Sequence, residues 1–536
     1  MSNLKTEIKE IIVKDAFERH EGREDLEWIF DFRKVTLTPH FLDLYTKIFF
    51  ETFPEKEIQI CGLESASIAL ISAIVLESSK RNLNINGFFI RKSKKKHDLY
   101  KQIEGVPNQY SVVIVDDILN SGGSVLKQIK ILKETGIKIK SVFTLVRFRD
   151  IDFYDYLKNE GVEIISLFEL NDFKQELNIV NKVIEENNFK PLDVKINWKA
   201  SFGKTAWQHV VAKSQPILHN NKVYFGTDSG IFYCINSVTG ETIWEHKVWF
   251  GADGKMIFSS PAILNNIIFF GAYDGNFYAL DAETGKKKWV YSDADWIGSS
   301  PCISTKNNFV YIGLEYGLFK KRGGVAALDI ETGKEMWKDI HIGLTHCSPF
   351  VSEKNNLLIC GSNDGIVRIY NSKTGEKLKE HNIGSEIKMS FTENEEGTLV
   401  SFGAFDGVCY FINTKTLEIV DQYETFEAIY SSQIWDKEFI YITSLDKRLY
   451  KYNTKNKKVV WEFLTGSRCF CTPVLRGEYI YLGSNDGKMY KINNETGKLA
   501  GYIQLTERIV NTPVFIDNKN YFIKTFANEV YKIEEI

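Results

Sequence analysis

The chain has 536 residues and a mass of 61.7 kDa, more than a single hydrophobic core usually organises. Hydrophobic residues make up 43% of the chain and charged residues 26%, which predicts a folded globular protein and argues against disorder. The 67 Lys and Arg against 70 Asp and Glu leave a net charge of -3, which argues against a protein whose whole surface binds nucleic acid.

The apolar runs and the N-terminus predict a cytoplasmic location. No run approaches the ~20 apolar residues of a membrane-spanning helix. The first 25 residues are charged throughout, whereas a signal peptide has an apolar core. The 8 Cys lack the paired spacing of a metal site, so neither disulfides nor structural zinc are expected. We therefore expect neither a membrane nor nucleic acid among the partners.

Residues 1–190 alternate short apolar runs with longer amphipathic ones, a pattern that predicts an α/β domain with a parallel sheet. Five runs are β-branched or aromatic and short enough for buried strands: 58–61, 87–90, 111–115, 139–146 and 162–167. Three segments have apolar residues three and four positions apart and are predicted helices: 67–80, 123–135 and 171–187.

From about residue 200 the sequence repeats. Seven segments follow the pattern G-x-x-D-G-x-x-Y, and their aligned turn positions recur every 40 to 48 residues: Gly230, Gly275, Gly317, Gly365, Gly407, Lys447 and Gly487. This is the period of a four-stranded propeller blade. An eighth copy, with Asn528 at the turn position, ends before its last strand, and the segment around Trp198 resembles that missing strand. Residues 191–536 are therefore predicted to form an eight-bladed all-β propeller closed by a shared blade.

Each repeat predicts its own turns and packing. Asp-Gly and Thr-Gly supply the positive φ that tight hairpin turns require. Trp in the last strand is expected to pack between blades, at Trp244, Trp289, Trp337 and Trp461. Other blades are expected to use Leu378, Val420 and the region of Leu499 instead.

The repeats resemble the pyrroloquinoline-quinone-type repeats of quinoprotein dehydrogenases and of the outer-membrane assembly lipoprotein BamB, over residues 195–536. The dehydrogenases of that family carry adjacent cysteines beside their cofactor, whereas Cys469 and Cys471 are separated here by Phe470. No pyrroloquinoline quinone is therefore expected, and the propeller is interpreted as a platform for a protein partner.

Residues 110–132, YSVVIVDDILNSGGSVLKQIKIL, run from an apolar strand through an acidic pair and a small-residue turn into a helix. The strand delivers Asp116 and Asp117 to the carboxyl edge of the sheet, where ligands of α/β proteins bind. The residues that follow place amides and hydroxyls at a helix N-terminus, which is an anion site: Asn120, Ser121, Gly122, Gly123 and Ser124. A ligand with a diol close to a phosphate would account for both the acidic pair and the anion site.

This segment resembles the phosphoribosyl-diphosphate loop of type I phosphoribosyltransferases, an apolar strand followed by D-D-x-x-T-T-G-G-S. The resemblance implies that Asp116 and Asp117 hold the ribose hydroxyls and, through ribose or water, Mg²⁺. It also implies that Asp117 is catalytic and that the turn from Asn120 to Ser124 holds the 5′-phosphate. Asn120 stands where the family has Thr.

Residues 87–105, GFFIRKSKKKHDLYKQIEG, resemble the R-K-x-x-K-x-H loop of orotate phosphoribosyltransferases. The resemblance implies contacts to the diphosphate from Arg91, Lys92, Lys95 and His97, with Lys95 and His97 catalytic. A basic loop suits this chemistry because departing diphosphate accumulates negative charge. Glu64 and Ser65 occupy the place of the family's diphosphate loop, and residues 30–42 resemble the strand that covers the base, with Arg33 or Lys34 facing an anionic base.

Two hypotheses remain open. The first is an enzyme that uses Mg²⁺ and phosphoribosyl diphosphate to transfer the phosphoribosyl group to a nitrogen base, orotate-like by its basic loop, with release of diphosphate. The second is a non-catalytic sensor of a nucleotide or of phosphoribosyl diphosphate, with a protein-binding propeller. Departures from the family pattern at Asn120, Asp98 and the turn 64–66 favour the second. A homodimer is expected by family analogy alone.

Overall fold

A computed structural model describes residues 2–19, 28–64, 67–91, 102–120, 122–173, 191–203, 205, 214–248, 255–317 and 321–536. The chain forms two compact units, Met1–Pro191 with Gln504–Thr506, and Leu192–Ile503 with Glu507–Ile536. Within the described ranges, no helix combines the length and the apolar character needed to span a membrane.

The first unit is an α/β domain on a six-stranded sheet. Its helices are α1 (Ser2–Ile11), α2 (Pro39–Thr52), α3 (Ile68–Lys80), α4 (Gly123–Glu134) and α5 (Asp155–Lys158). Its strands are β1 (Phe17–Arg19), β2 (Trp28–Phe30), β3 (Ile58–Leu63), β4 (Asn86–Ile90), β5 (Ile103–Glu104), β6 (Ser111–Leu119), β7 (Ile139–Arg147) and β8 (Glu163–Glu169). The sheet order is β5-β4-β3-β6-β7-β8, and only the β4–β5 pair is antiparallel. The five predicted strands are confirmed, and β5 adds a sixth.

The central strands are apolar without alternation because both faces of the sheet are covered. In β6 this holds for four consecutive buried residues: Val112, Val113, Ile114 and Val115. The strand expected over residues 30–42 is a wrong prediction. Only Phe30 belongs to a strand, Phe32–Lys34 form a 3₁₀ turn, and Pro39 begins α2 because the fixed φ of proline suits the first helical position. Of the predicted helix 171–187, residues 174–187 lie outside the described ranges, and Leu170–Phe173 form a 3₁₀ turn.

The second unit contains eight four-stranded antiparallel sheets, which are the blades of a propeller. The strands of blades 1 to 4 are β10 (Ile217–His219), β11 (Lys222–Gly226), β12 (Ile231–Asn236), β13 (Thr242–Lys247), β14 (Ala262–Leu264), β15 (Ile267–Gly271), β16 (Asn276–Asp281), β17 (Lys287–Ser292), β18 (Cys302–Ser304), β19 (Phe309–Tyr316), β20 (Arg322–Asp329), β21 (Glu335–Ile342), β22 (Phe350–Ser352), β23 (Leu357–Cys360), β24 (Ile366–Asn371) and β25 (Lys377–Asn382).

Blades 5 to 8 complete the ring. Their strands are β26 (Thr392–Glu393), β27 (Leu399–Gly403), β28 (Val408–Asn413), β29 (Ile419–Glu424), β30 (Ile434–Asp436), β31 (Phe439–Thr443), β32 (Arg448–Asn453), β33 (Lys458–Leu464), β34 (Val474–Arg476), β35 (Tyr479–Gly483), β36 (Lys488–Asn493), β37 (Leu499–Gln504), β38 (Val514–Phe515), β39 (Asn520–Lys524) and β40 (Glu529–Glu535), with β9 (Val194–Ser201) as the fourth strand of blade 8. The pairing of β9 with β40 confirms the predicted shared blade, and Trp198 lies opposite Lys532.

A ring of polar residues precedes the inner strands and lines a channel cavity of about 280 Å³: Gln215, Ser260, Ser300, Ser348, Ser390, Ser432, Thr472 and Thr512. Hydrogen bonds link neighbouring members of this ring. The Ser260 amide donates to Ser300 Oγ at 2.9 Å, and the Ser300 amide donates to Ser348 Oγ at 2.8 Å. The channel wall therefore joins consecutive blades.

Tryptophans pack between blades as predicted. The indole N–H of Trp337 donates to Ser372 O of the next blade at 3.1 Å, and Trp244, Trp289 and Trp461 make the equivalent bond at 3.0 Å. In blades 4 and 5, the strand register places Lys379 and Asp421 at the position that Trp occupies in most of the other blades. The prediction that Leu378 and Val420 replace Trp there is therefore wrong. Side chains alternate along a strand, and these two apolar residues lie on the other face, 41% and 46% exposed.

The predicted turn positions have positive φ, with one exception. The hairpin residues Gly275 and Gly487 have φ of 85° and 82°, and Lys447 adopts 75° without being glycine. Gly317 is not among the positive-φ glycines, because β19 and β20 extend the hairpin of blade 3 to eight residues each. A Cβ at Gly317 would lie 2.0 Å from the Trp296 ring, so close packing accounts for this glycine.

Cys469 and Cys471 are buried thiols in the blade core. The Gly483 amide donates to Cys471 Sγ at 3.2 Å, which ties this thiol to β35. Burial raises the pKa of Cys471 to about 12, so the thiol is neutral and acts as a packing residue.

Candidate active site at the carboxyl edge of the first domain

Four parallel strands bring the predicted site residues to one edge of the sheet. β3 is followed by Glu64, β4 by Arg91 and β6 by Asn120, while β7 ends at Arg147. Because parallel strands share their carboxyl ends, these residues lie along the edge where α/β proteins bind ligands. The sequence prediction of a common edge is therefore consistent with the sheet order.

The acidic pair lies within the last part of β6. Asp116 is 6% exposed, and its Oδ1 accepts the Asp117 amide at 3.0 Å. Asp117 Oδ1 accepts the Ile118 amide at 2.8 Å. Burial raises the pKa of Asp117 above the usual value, and the Ile118 hydrogen bond only partly opposes that rise. A ligand that donates hydrogen bonds to this carboxylate would offset the cost of its burial.

The turn after the acidic pair leads through Gly122 into the N-terminus of helix α4. Gly122 has φ of 69°, and a Cβ there would lie 2.2 Å from the Tyr156 hydroxyl oxygen, so glycine is required. Helix α4 begins at Gly123, and no side chain among the described residues caps its first turn. The amides of Gly123 and Ser124 are therefore in position to bind an anion. Ser121 lies outside the described residues.

Tyr154 contacts the backbone carbonyls that precede this turn, and the sequence analysis did not identify this residue. Its hydroxyl oxygen lies 2.7 Å from Leu119 O and 2.8 Å from Asn120 O, and it accepts the Arg149 amide at 3.3 Å. Burial raises the pKa of Tyr154 to about 12, so the hydroxyl keeps its proton. A buried tyrosine between two strands carries no local sequence signal for such a contact.

Arg91 is engaged by carboxylates. Its Nη1 donates to Glu104 Oε1 at 2.9 Å, and its Nη2 lies 3.8 Å from Glu64 Oε1. The predicted residues Arg91 and Glu64 are thus brought together. The other residues predicted on this side lie outside the described ranges: Ser65, Lys92, Lys95 and His97.

Two further side chains at this edge were not predicted. Tyr45 of α2 has no exposed surface, and its hydroxyl has no hydrogen-bond partner within the described residues. Burial, together with the charges of Asp116 and Asp117, raises the pKa of Tyr45. Arg147 donates to Arg149 O at 2.7 Å and pairs with Glu169. The position of Arg147 at a strand end is the signal that could have identified it.

The donor set fits Mg²⁺ bound together with a substrate. Asp116 and Asp117 supply hard carboxylate oxygens, and Mg²⁺ is usually held by one or two carboxylates, substrate phosphates and water. Among the described residues, no group of three metal-ligating side chains could hold an ion by itself. The remaining ligands of such an ion would come from the substrate and from water.

Comparison with known proteins agrees with this geometry. The phosphoribosyl transferase domain family matches residues 40–173. Orotate phosphoribosyltransferase of Pyrococcus furiosus is 33% identical over 150 residues, covering 27% of this chain and 79% of the relative. The same enzyme of Rhodopseudomonas palustris is 28% identical over 183 residues, covering 32% of this chain and 97% of the relative.

The propeller has relatives of its own. The family described as outer membrane protein assembly factor BamB matches residues 192–341 and 320–463. BamB from Moraxella catarrhalis superposes with a TM-score of 0.51 at 15% identity, covering 64% of this chain and all (100%) of that one. Quinohemoprotein alcohol dehydrogenase from Comamonas testosteroni superposes with a TM-score of 0.53 at 12% identity, covering 65% and 78%. At these identities the likeness shows the fold alone.

Fold and site together define a two-domain protein in which a type I phosphoribosyltransferase fold precedes an eight-bladed propeller. The chain belongs to the phosphoribosyltransferase family over its first domain, with orotate phosphoribosyltransferases among its relatives, and to the BamB-type repeat family over its propeller.

Proposed function

We propose that the first domain binds phosphoribosyl diphosphate with Mg²⁺ and transfers the phosphoribosyl group to an orotate-like nitrogen base, releasing diphosphate. The observation that carries the proposal is the acidic pair of β6, with Asp116 buried and Asp117 half-buried, followed by the N-terminus of α4, which no described side chain caps. A diol and a phosphate held a few ångströms apart match these two groups. The orotate phosphoribosyltransferases similar to this domain support the same chemistry.

In this proposal the protein positions the substrate and stabilises charge. Asp116 and Asp117 accept hydrogen bonds from the ribose hydroxyls, while the amides of Gly123 and Ser124 bind the 5′-phosphate. Lys95 and His97 neutralise the departing diphosphate. Bound Mg²⁺ would supply additional charge neutralisation for the diphosphate, with Asp116 and Asp117 holding it through ribose or water.

The second candidate is a sensor that binds without turnover, and the contacts of Arg91 favour it. Glu104 and Glu64 surround the guanidinium that the resemblance assigns to diphosphate. Two carboxylates at this place repel an anion, so binding of diphosphate requires Arg91 to exchange partners. In this case the propeller transmits the bound state to a protein partner. For both candidates we propose a cytoplasmic location.

The deciding experiment incubates the full chain with phosphoribosyl diphosphate, Mg²⁺ and a panel of nucleobases that includes orotate, and measures diphosphate release. Release with any base supports the enzyme. Binding in calorimetry without release, abolished by Asp117→Ala, supports the sensor. Absence of both binding and release would contradict the proposal.

A matched control and a gain-of-function variant sharpen this test. Asp155→Asn changes an exposed carboxylate of α5 that pairs with Lys158, and we expect it to leave binding unchanged. Glu104→Gln removes the 2.9 Å partner of Arg91, and we expect it to tighten phosphoribosyl diphosphate binding several-fold. Weaker binding in Glu104→Gln would show that the pair supports the loaded site.

A further inference from the structure

A cavity in the first domain lies apart from the acidic pair. Its volume is about 870 Å³, and its lining comprises residues 102–103, 105, 107–110, 131 and 134–138. Tyr110 directly precedes β6, whereas Asp116 lies in the second half of that strand. At about 3.3 Å per strand residue, these two residues are roughly 20 Å apart. We call this site the amino-edge cavity, because β6 and β7 both begin beside it.

The amino-edge cavity has room for a small molecule. Small-molecule sites are usually clefts of roughly 300–1,000 Å³, and the volume of this cavity falls within that range. At its wall, a Cβ at Gly136 would meet no atom of the described residues within 4 Å. All of the lining residues belong to the first unit, so the cavity is a feature of that domain.

Apolar and aromatic side chains form one part of the lining. Ile103 and Pro107 come from the segment before β6, and Ile131 and Ile137 come from the end of α4 and the turn that follows it. Tyr110 adds a half-buried ring, whose hydroxyl has no hydrogen-bond partner within the described residues. An aromatic ring with apolar neighbours favours a flat, unsaturated ligand, because such rings stack on each other.

Side-chain amides form the polar part of the lining. Asn108 Oδ1 accepts the Tyr110 amide at 2.9 Å, which leaves Asn108 Nδ2 available as a donor among the described residues. Gln109 is exposed, and its side-chain amide makes no hydrogen bond to the described residues. An amide side chain both donates and accepts hydrogen bonds. Nucleobases, whose edges carry donors and acceptors side by side, match these two side chains.

The charges around the cavity balance each other. Glu134 and the carboxyl end of α4 place negative charge at the wall, and Lys138 places positive charge there. A phosphate at this wall meets Glu134 and the helix end, whereas an alkylammonium group meets Lys138. An uncharged ligand avoids both repulsions.

We propose that the amino-edge cavity binds a nucleobase, either free or as a nucleoside. The base stacks on Tyr110 and Pro107, and its edge exchanges hydrogen bonds with Asn108 and Gln109. An aliphatic ligand leaves these two amides unused, and a nucleotide brings its phosphate to a wall that carries Glu134. This site goes beyond the proposed transfer reaction, whose substrates bind at the carboxyl edge of the sheet.

The wall of the cavity is joined to Arg91. The Arg91 amide donates to Gln102 O at 2.8 Å, and its guanidinium donates to Glu104 Oε1 at 2.9 Å. Gln102 and Ile103 both line the cavity. A ligand packed against them stabilises the segment that holds Arg91 with Glu104, so it opposes the exchange of partners that diphosphate requires. This consequence rests on the proposed function, and binding at the two sites is linked reciprocally.

Calorimetry of the full chain with adenosine, uridine, adenine, uracil and ribose tests the ligand class. We expect saturable binding of at least one of the four probes that contain a base, at least tenfold tighter than binding of ribose. The matching nucleoside 5′-monophosphate should bind at least threefold more weakly because of Glu134. A free base that binds as tightly as its nucleoside assigns the cavity to the base alone, and weaker binding assigns it to a nucleoside. Failure of all four probes to bind, or tighter binding of the monophosphate, would overturn the proposal.

Variants locate the bound base. Tyr110→Ala removes the ring and should weaken binding at least tenfold, and Gln109→Ala should weaken it at least threefold. Asn159→Ala changes an exposed amide of the same domain outside the cavity, and this matched control should bind as the unchanged protein does. Circular dichroism and thermal melting establish that each variant is folded. If Tyr110→Ala is unfolded, Gln109→Trp replaces it, because the indole takes up cavity volume from an exposed position. Unchanged affinity in either folded variant would contradict the assignment.

The link to Arg91 is measured as phosphoribosyl diphosphate affinity with and without a saturating concentration of the bound base or nucleoside. We expect at least threefold weaker affinity that reaches a plateau, and no such effect in Tyr110→Ala or Glu104→Gln. Unchanged affinity, or competition that persists in Tyr110→Ala without a plateau, would overturn the link. If phosphoribosyl diphosphate does not bind at all, the proposed function fails, whereas base binding and its loss in Tyr110→Ala still decide the cavity.

Discussion

Asp117 illustrates the conflict between stability and ligand binding at a single residue. Burial raises its pKa in the folded state, so the ionised carboxylate destabilises the native protein above that pKa. With the folded pKa raised, the native state binds the proton more tightly than the unfolded chain does. Stability from this group therefore falls as pH rises through the folded pKa.

We expect Asp117→Asn to raise the melting temperature at pH 7 and to weaken phosphoribosyl diphosphate binding at least tenfold. The amide carries no charge to bury, and each kcal/mol gained corresponds to about 2–4 °C in a domain of this size. Calorimetric scans at pH 7 and pH 4 measure the effect, and the difference should shrink at the lower pH, where the raised pKa leaves more of the carboxyl protonated. A difference that grows at pH 4 would contradict the assigned direction.

At the scale of the element, most blades are joined to the next one by a contact between a Trp and a glycine turn. A Cβ at Gly375 would lie 2.5 Å from the Trp337 ring, and Gly285, Gly333 and Gly497 face a Trp in the same way. Blades 4, 5 and 7 lack this Trp. The turns that follow blades 4 and 5 use Leu417 and Lys457 at φ of 61° and 56°. A turn therefore has glycine where the preceding blade has Trp, because the indole fills the space that a side chain at the turn position would need.

Trp337→Ala should destabilise the propeller by about 2–4 kcal/mol, since it removes a large packed ring and an indole hydrogen bond. Gly375→Ala should also destabilise it, because the Cβ meets that ring and φ is 73°. Lys379→Ala, at the equivalent position of the next blade, is the control and should cost less than about 1 kcal/mol. Denaturant unfolding measures all three. Similar losses for Trp337→Ala and Lys379→Ala would refute the argument.

At the scale of the whole molecule, the propeller is closed by strands that are far apart in sequence. β9 precedes the first blade and pairs with β40 at the end of the chain, so blade 8 is built from both. Blade 8 and blade 1 are also joined by a Trp and a glycine turn, because a Cβ at Gly240 would lie 2.8 Å from the Trp198 ring. Closure of this kind removes an exposed sheet edge and makes the ring cooperative.

We expect Trp198→Ala to accelerate amide hydrogen exchange in β9 and β40 together, with a lower melting temperature. Loss of the indole weakens the pairing of β9 with β40, its neighbour in the sheet of blade 8. Exchange followed by mass spectrometry measures this, with blade 4 as the internal reference. Faster exchange in β9 without any change in β40 would show that the two strands do not close the ring as one unit.

The sequence by itself determined the features that a short segment encodes: the five parallel strands, the acidic pair with its small-residue turn, the repeat period and the shared blade. Each depends on local periodicity or on turn chemistry, which neighbouring residues decide. The tertiary structure alone decided that Glu104 pairs with Arg91 and that the Tyr154 hydroxyl contacts the carbonyls of Leu119 and Asn120 before α4. These contacts join residues from different strands, and their geometry depends on strand register, pairing and packing, which no local pattern specifies.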